Sequence, residues 1–176
     1  MSEQLLQELK RAKPRATVVE PLVVALEQSI PCNLEQQQHL LEGVWELRWS
    51  SSSLPYLQVQ PWFENLQVLQ PASGRGMNLL RLAGPLGELG AIAVQAELSL
   101  EPPKRVGVRF RRGGVIGPRL GSLQARLLTA VNQAFPAWLD ITVLTETLRI
   151  CRGSNGTLFV LVRRADLDAE TLLGNR

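Results

Sequence analysis

The sequence predicts a mainly β protein, an antiparallel barrel preceded by helices, and three observations lead there. Apolar residues recur with a helical period over roughly the first forty positions, and the period falls to two at Gly43. Short alternating segments then follow one another through short turns, without the βαβ alternation of a parallel sheet. No 20- to 50-residue repeat or low-complexity tract interrupts them. So many short strands leave unpaired edges unless the sheet closes, and a small closed barrel either fills its interior with side chains or holds one ligand there.

"EQLLQELKRA" carries Leu5, Leu6 and Leu9 at helical spacing until Pro14 interrupts. "TVVEPLVVALEQS" gives a second helix with Pro21 near its start, and Asn33 caps a third, with Gln36 at the capping-box position and Gly43 as its stop. "GVWELRWSSS" alternates, which places Trp45, Leu47 and Trp49 on one side and Glu46, Arg48 and Ser50 on the other. After the loop "SSSLP", "WFENLQVLQP" alternates over Leu66 and Val68, "PASGRG" turns, and "MNLLRLAG" follows. "AIAVQAELSL" sets Ile92, Val94, Ala96 and Leu98 on one face, and "RVGVRFRR" sets Val106, Val108 and Phe110 against Arg105, Arg109 and Arg111. "GSLQARLLTAVNQAF" reads as a helix with Ser122 as cap and Leu123, Leu127 and Val131 as its stripe, packed on the barrel or acting as a lid or membrane-surface helix. "ETLRICR" and "LFVLVRR" form a hairpin around Asn155-Gly156, and the tail "ADLDAETLLGNR" adds a last helical turn. The expected organisation is a helical segment over 1–42, a barrel over 43–165 with a helix inserted near 122–134, and a tail over 166–176.

Composition narrows the chemistry. The chain has 176 residues, 45% of them hydrophobic and 20% charged, with a net charge of +3, which suits one globular domain. No apolar run reaches the ~18–20 residues of a membrane span, and the N-terminus lacks a signal-peptide core, so a cytoplasmic or membrane-peripheral location is expected. Cys32 and Cys151 have no companion ligands and read as free buried thiols, with a disulfide between them as the alternative, and His39 is the single histidine; zinc chemistry, a Ser/His/Asp triad and most histidine acid–base chemistry are thereby disfavoured. "SGRG" at 73–76 joins two strands, "GGVIG" at 113–117 lacks a βαβ setting, and Asp140 and Glu146 are not paired for glycoside chemistry. No cofactor is implied. Between Glu101 and Asp140 there is no acid, while Lys104, Arg105, Arg109, Arg111, Arg112, Arg119 and Arg126 all occur. This block suits an anionic membrane or a solvated outer face; Phe110 points away from the arginines, so specific nucleic-acid binding is not expected.

"LLEGVWELRWSSS" and "WLDITVLTETLRICRGSNGTLFVLVRR" resemble the opening and closing motifs of the plastid lipid-associated proteins, or fibrillins, with the likeness covering about residues 35 to 165. The resemblance implies a lipocalin-like barrel, not an enzyme, that binds lipophilic molecules such as prenylquinones, carotenoids or fatty acids. It would sit at the thylakoid or at lipid droplets, in a cyanobacterium or, as a mature form, in a plastid. Gly43, Trp45, Arg149, Arg152 and Gly153 fall on motif positions. In lipocalin-like barrels the Gly-x-Trp indole closes one end beneath an arginine; Arg149 is favoured for that role, which leaves Arg152 for a ligand headgroup at the open end. Trp49, Leu66, Val68, Leu80, Val94, Val108, Phe110 and Phe159 are then the expected lining, for an isoprenoid, quinone or acyl lipid, and Lys104, Arg105, Arg109, Arg111 and Arg112 the expected anion contacts. Two alternatives are a bilin lyase or chaperone for phycobiliproteins, with Arg81, Arg109 or Arg152 meeting propionates, and a membrane scaffold without an internal ligand.

Overall fold

The computed structural model describes residues 1–121, 123–132 and 137–174. Three helices come first: α1 (Ser2–Leu9), α2 (Ala16–Ser29) and α3 (Leu34–Leu41). Leu5 and Leu9, one turn apart on α1, are buried against Val19, Val23 and Leu26 of α2. The link between the two helices holds Pro14 and is tied by Glu8, whose carboxylate accepts the Arg15 backbone N–H at 2.9 Å and its guanidinium at 3.0 Å. Asn33 caps α3 as expected, accepting the Glu35 N–H at 3.0 Å. The reciprocal bond comes from Gln37 rather than Gln36: its side-chain oxygen accepts the Asn33 N–H at 2.8 Å.

Nine strands follow: β1 (Gly43–Ser50), β2 (Phe63–Gln70), β3 (Arg75–Leu82), β4 (Ala91–Glu101), β5 (Arg105–Leu120), β6 (Leu123–Ala130), β7 (Ala137–Leu144), β8 (Leu148–Gly153) and β9 (Leu158–Arg163). The short helix α4 (Ala169–Leu173) closes the order. Strands β1 to β5 and β7 to β9 pair in a ring, giving an eight-stranded, closed antiparallel barrel. β5 is 16 residues long and shares one edge between two partners. Its residues 105–108 pair with β7, and its residues 112–120 pair with β6. β6 is therefore a ninth strand hung on the long end of β5.

This corrects the helix expected near 122–134. The stripe Leu123, Leu127, Val131 has helical spacing, but the segment pairs with β5 and buries with a period of two: Gln124, Arg126 and Leu128 are half-buried while Leu123, Ala125, Leu127 and Thr129 are exposed. The open edge of β5 overrides local propensity. Ser122, the expected cap, and positions 133–134 lie outside the described residues.

Three apolar clusters organise the barrel. Its inward faces supply one, with Trp45, Leu47, Leu69, Val106, Ile141, Cys151, Phe159 and Leu161. A second lies outside, where α1 and α2 cover Val143, Leu148, Ile150 and Val160. A third, also outside, forms where Leu172, Leu173 and Leu167 of the C-terminal segment cover Val44, Leu66, Val68, Met77, Leu79, Ala93 and Ile116. The convex surface is thus buried on two sides.

A β-bulge decides the fate of the second tryptophan of β1. Leu47 faces Leu161 of β9, but the next β9 residue, Val160, faces Trp49, so Arg48 is the extra residue. The bulge reverses the alternation. Trp45 and Leu47 point inward, whereas Trp49 points outward and is buried beneath α1 and α2 with Leu5, Leu9 and Val23. Arg48 turns toward α1, donating from Nε to the Leu9 carbonyl at 3.1 Å.

Candidate ligand-binding site

The two ends of the barrel differ. One is closed by α3 and Trp45. The indole N–H donates to the Leu41 carbonyl at 3.0 Å, and two guanidinium groups lie over the ring, Arg163 at 4.3 Å from its centroid and Arg149 at 5.1 Å. The expected Arg149–Trp45 contact is present. Arg163, which the sequence reading passed over, approaches more closely and also bonds the Leu40, Glu42 and Glu146 carbonyls. Gly43 makes room for it: its φ is +128°, and a Cβ there would run into the Arg163 guanidinium.

The other end is open because the wall is uneven. β4 and β5 are 11 and 16 residues long, and the part of β5 that runs past β7 carries β6, so the wall of β3 to β6 stands above β7 to β9. On this tall wall the usual order of burial is inverted. Outward-facing Met77, Leu79, Ala93 and Ile116 are at most 3% exposed beneath the C-terminal segment, while inward-facing Ile92, Val115 and Leu127 are 56%, 54% and 79% exposed. Leu80 faces Ile92, Ile92 faces Val115 and Val115 faces Leu127 across successive strand pairs, so these side chains form one apolar row. It crosses three strand spacings, about 14 Å at ~4.8 Å each. The concave surface is an open apolar trough above a packed lower half.

The expected lining residues divide accordingly. Leu80 and Val94 lie on the trough. Val108 and Phe110 lie lower on the inward face of β5, beside a lateral cleft of about 920 Å³ that also reaches Leu98, Ala137 and Trp138. Phe159 belongs to the packed lower half. Trp49, Leu66 and Val68 are corrected: all three are buried on the outer face, Trp49 because of the bulge and the other two because the C-terminal segment covers the face they share with Val44. The Arg152 assignment is corrected as well. Arg152 leaves the barrel and pairs with Glu27 of α2 at 2.8 Å, so it holds a helix on the outside. Gly153 sits at the β8–β9 turn, where a Cβ would come within 3.2 Å of the Phe159 ring.

Sequence reading also passed over the inward polar residues of β2 and β3. Gln67 faces Asn78, and both share the inward side with Trp45. Asn78 is exposed, and Gln67 is half-buried with its side-chain oxygen accepting a bond from Arg149 Nη2. Arg149 is completely buried, and its Nε and Nη1 have no hydrogen-bond partner. Burial, aided by the neighbouring Arg163 charge, pushes its pKa down to about 10.

Most of the basic block is compensated. Arg105 bonds Asp140 at 2.7 Å and lies 3.9 Å from the Trp138 ring centroid, Lys104 is 3.9 Å from Asp140, and Arg111 pairs with Glu97. Arg112 donates to the Leu128 carbonyl at 3.2 Å, and Arg109 is exposed on the outer face of β5. Arg81, Arg109 and Arg152 do not converge: Arg81 pairs with Glu64 on the outer face, and Arg152 with Glu27 elsewhere. Both thiols are free, and burial pushes Cys32 and Cys151 up to about 11. Among the described residues no His, Cys, Asp and Glu side chains group to hold a metal, and no helix is long and apolar enough to cross a membrane.

Two chloroplast proteins are similar to this chain in sequence. A "Probable plastid-lipid-associated protein 2, chloroplastic" of Arabidopsis thaliana is 26% identical over 70% of this chain and 55% of its own length. A "Light-induced protein, chloroplastic" of Solanum tuberosum is 27% identical over 86% of this chain and 61% of its own length. The chain therefore spans less than two thirds of the length of either relative. No solved structure matches it significantly. The PAP_fibrillin family model matches residues 7–162, from within α1 to β9. The chain belongs to the PAP_fibrillin family.

Proposed function

We propose that this protein is a non-enzymatic binding or carrier protein for a lipophilic small molecule of the prenylquinone, carotenoid or fatty acid kind, acting at the surface of a membrane or lipid body. The observation that carries this reading is the inverted tall wall, whose convex side is packed while its concave side presents Leu80, Ile92, Val115 and Leu127 to the open end of the barrel. A contiguous apolar surface of this kind in a soluble fold calls for something to cover it. The name of the Arabidopsis relative, a plastid-lipid-associated protein, supports the lipid class.

The rim around the open end supports a lipid surface as the source of the ligand. Trp62 is 72% exposed, and Leu54, Phe63, Leu86, Leu89, Leu120 and Leu123 are exposed with it. Residues 50–63 contain no charged side chain, and residues 83–92 contain only Glu88. An exposed indole among leucines and prolines suits the boundary between lipid headgroups and acyl chains. The basic block is less suited, since much of its charge is already paired with Asp140 and Glu97. The bilin alternative draws no support from Arg81, Arg109 and Arg152, which do not face one site.

The test is a titration of the protein with a prenylquinone, a carotenoid and a long-chain fatty acid, followed by tryptophan emission. A saturable change with at least one class is expected, and unchanged emission with all three refutes the reading. Vesicle flotation separates the two membrane faces. Binding through the rim persists at high salt, whereas binding through the basic block falls with ionic strength.

A further inference from the structure

We infer that Arg149, together with Gln67 and Asn78, is a headgroup site at the lower edge of the trough, and that it takes the carboxylate of a long-chain acid. The inference rests on the trough being a ligand site and goes on to name which lipophile it prefers.

Arg149 differs both from the arginines that pair with acids and from those, such as Arg75 and Arg163, whose nitrogens meet backbone carbonyls. Arg15 is held by Glu8, Arg81 by Glu64, Arg105 by Asp140, Arg111 by Glu97, and Arg152 by Glu27, while Arg164 bonds Glu46, Glu64 and Asp166 together. All of these lie at or near the surface. Arg149 is the largest charged side chain with no exposure, and among the described residues it forms no ion pair. A guanidinium taken out of water without a counter-ion is costly, and two of its nitrogens lack even a neutral acceptor.

Closing the barrel does not account for it. The Trp45 face is already covered by Arg163, which lies closer and whose nitrogens are satisfied by the Leu40, Glu42 and Glu146 carbonyls. Arg149 adds a second positive charge beside the first. The floor of the barrel is therefore an electropositive pole that lacks its anion.

The route to that pole runs through Gln67. Its side-chain oxygen is the single acceptor that Arg149 has among the described residues, and Gln67 faces the exposed Asn78 across the β2–β3 pair. From Asn78 the inward face passes directly to Val94 and, two residues along β3, to Leu80, where the apolar row begins. An acyl chain lying along Leu80, Ile92 and Val115 would bring its terminal oxygens to Gln67 and Asn78. Rotation of the Gln67 side chain then exchanges an amide oxygen for a carboxylate oxygen at Arg149, replacing a neutral acceptor with a charged one. The Asn78 amide provides a donor for the second oxygen.

The test uses the full chain and three probes of equal chain length: hexadecanoate, its methyl ester and hexadecanol. The wild-type protein should bind hexadecanoate about tenfold or more tightly than the ester, the range expected for one charge-assisted hydrogen bond. Arg149→Met should erase that preference, keep ester affinity, and melt no lower than wild type, because it removes an uncompensated buried charge. Gln67→Leu, which leaves Arg149 in place, should weaken the preference for the acid without weakening ester binding. Equal wild-type affinity for acid and ester overturns the headgroup site while leaving the trough intact, as does a preference that survives both substitutions. Failure of all three probes to bind overturns the trough reading along with it.

Discussion

Replacing Trp49 with alanine should loosen the outside of the protein and leave the apolar trough alone. Trp49 is 7% exposed and packs with Leu5 and Leu9 of α1, Val19, Val23 and Leu26 of α2, and Val143, Ile150 and Val160 of the barrel wall. A buried indole hides roughly 200 Å² of surface, which at ~25 cal/mol/Å² corresponds to about 5 kcal/mol as an upper bound. Alanine keeps part of that contact, and two short helices can settle into the space left behind. The loss should therefore lie at about 3–4 kcal/mol, toward the lower end of measured Trp→Ala costs. Equilibrium urea denaturation of wild type and variant gives the difference directly. The same two proteins are then titrated with hexadecanoate and a prenylquinone. The expected result is a large fall in the denaturation midpoint with an affinity within about twofold of wild type, since nothing in the trough has moved. Unchanged stability with lost affinity would refute the reasoning, because it would put Trp49 on the inner face and remove the bulge from β1.

Gly43→Ala should cost about 1–3 kcal/mol, because the residue sits at φ +128° and a Cβ would drive Arg163 from the Trp45 face; thermal melting checks it. Acid should weaken the packing of the N-terminal helices. The Glu8 carboxyl, hydrogen-bonded to Arg15, is held at about 2 against an ordinary 4.5, so its contribution is complete above 4.5 and is lost as pH falls toward 2. Glu8→Gln should flatten that part of the stability–pH curve. Cys32 and Cys151, both pushed up to about 11, should react only slowly with an aromatic disulfide reagent at pH 8 in the native protein, and release two equivalents at once in denaturant. Leu127→Asp, at a residue 79% exposed, should leave the melting temperature within a degree or two while reducing both lipophile binding and vesicle flotation.

Much of the fold was legible because hydrophobic period and turn chemistry agree along most of the chain. The change at Gly43, the Asn33 cap and the Asn155-Gly156 hairpin are local signals, and each element formed where its signal stands. What escaped depends on distant partners. The bulge that turns Trp49 outward shows only in the register of β1 against β9, more than a hundred residues away in sequence. Leu66 and Val68 alternate as expected, but alternation does not say which side of a strand is inside. Here the outer side is buried too, because the tail that reads only as a helical turn lays Leu172 and Leu173 across it. β6 carries a helical stripe and becomes a strand because β5 outruns β7 and leaves an edge to be paired. At the site, Leu80 and Val94 were readable from the pattern. Gln67 and Asn78 were not, since an inward polar residue resembles a solvated one until the barrel is closed.

The divided partnership of β5 also sets a gradient of protection through the molecule. β1, β8 and β9 are paired on both edges and covered by packed clusters within and without, so their amides should open only with global unfolding. Among the described residues β6 is paired on one edge alone, and beyond that edge it is held by Leu128 packing on the outer cluster and by the Arg126 guanidinium donating to the Leu172 and Leu173 carbonyls at 3.2 and 2.9 Å. Hydrogen exchange should therefore find β6 far faster than the strands of the closed end. The strand that carries Leu127 at the mouth is thus a leaf hung on β5, and its release would leave the eight-stranded cylinder beneath it paired all the way round.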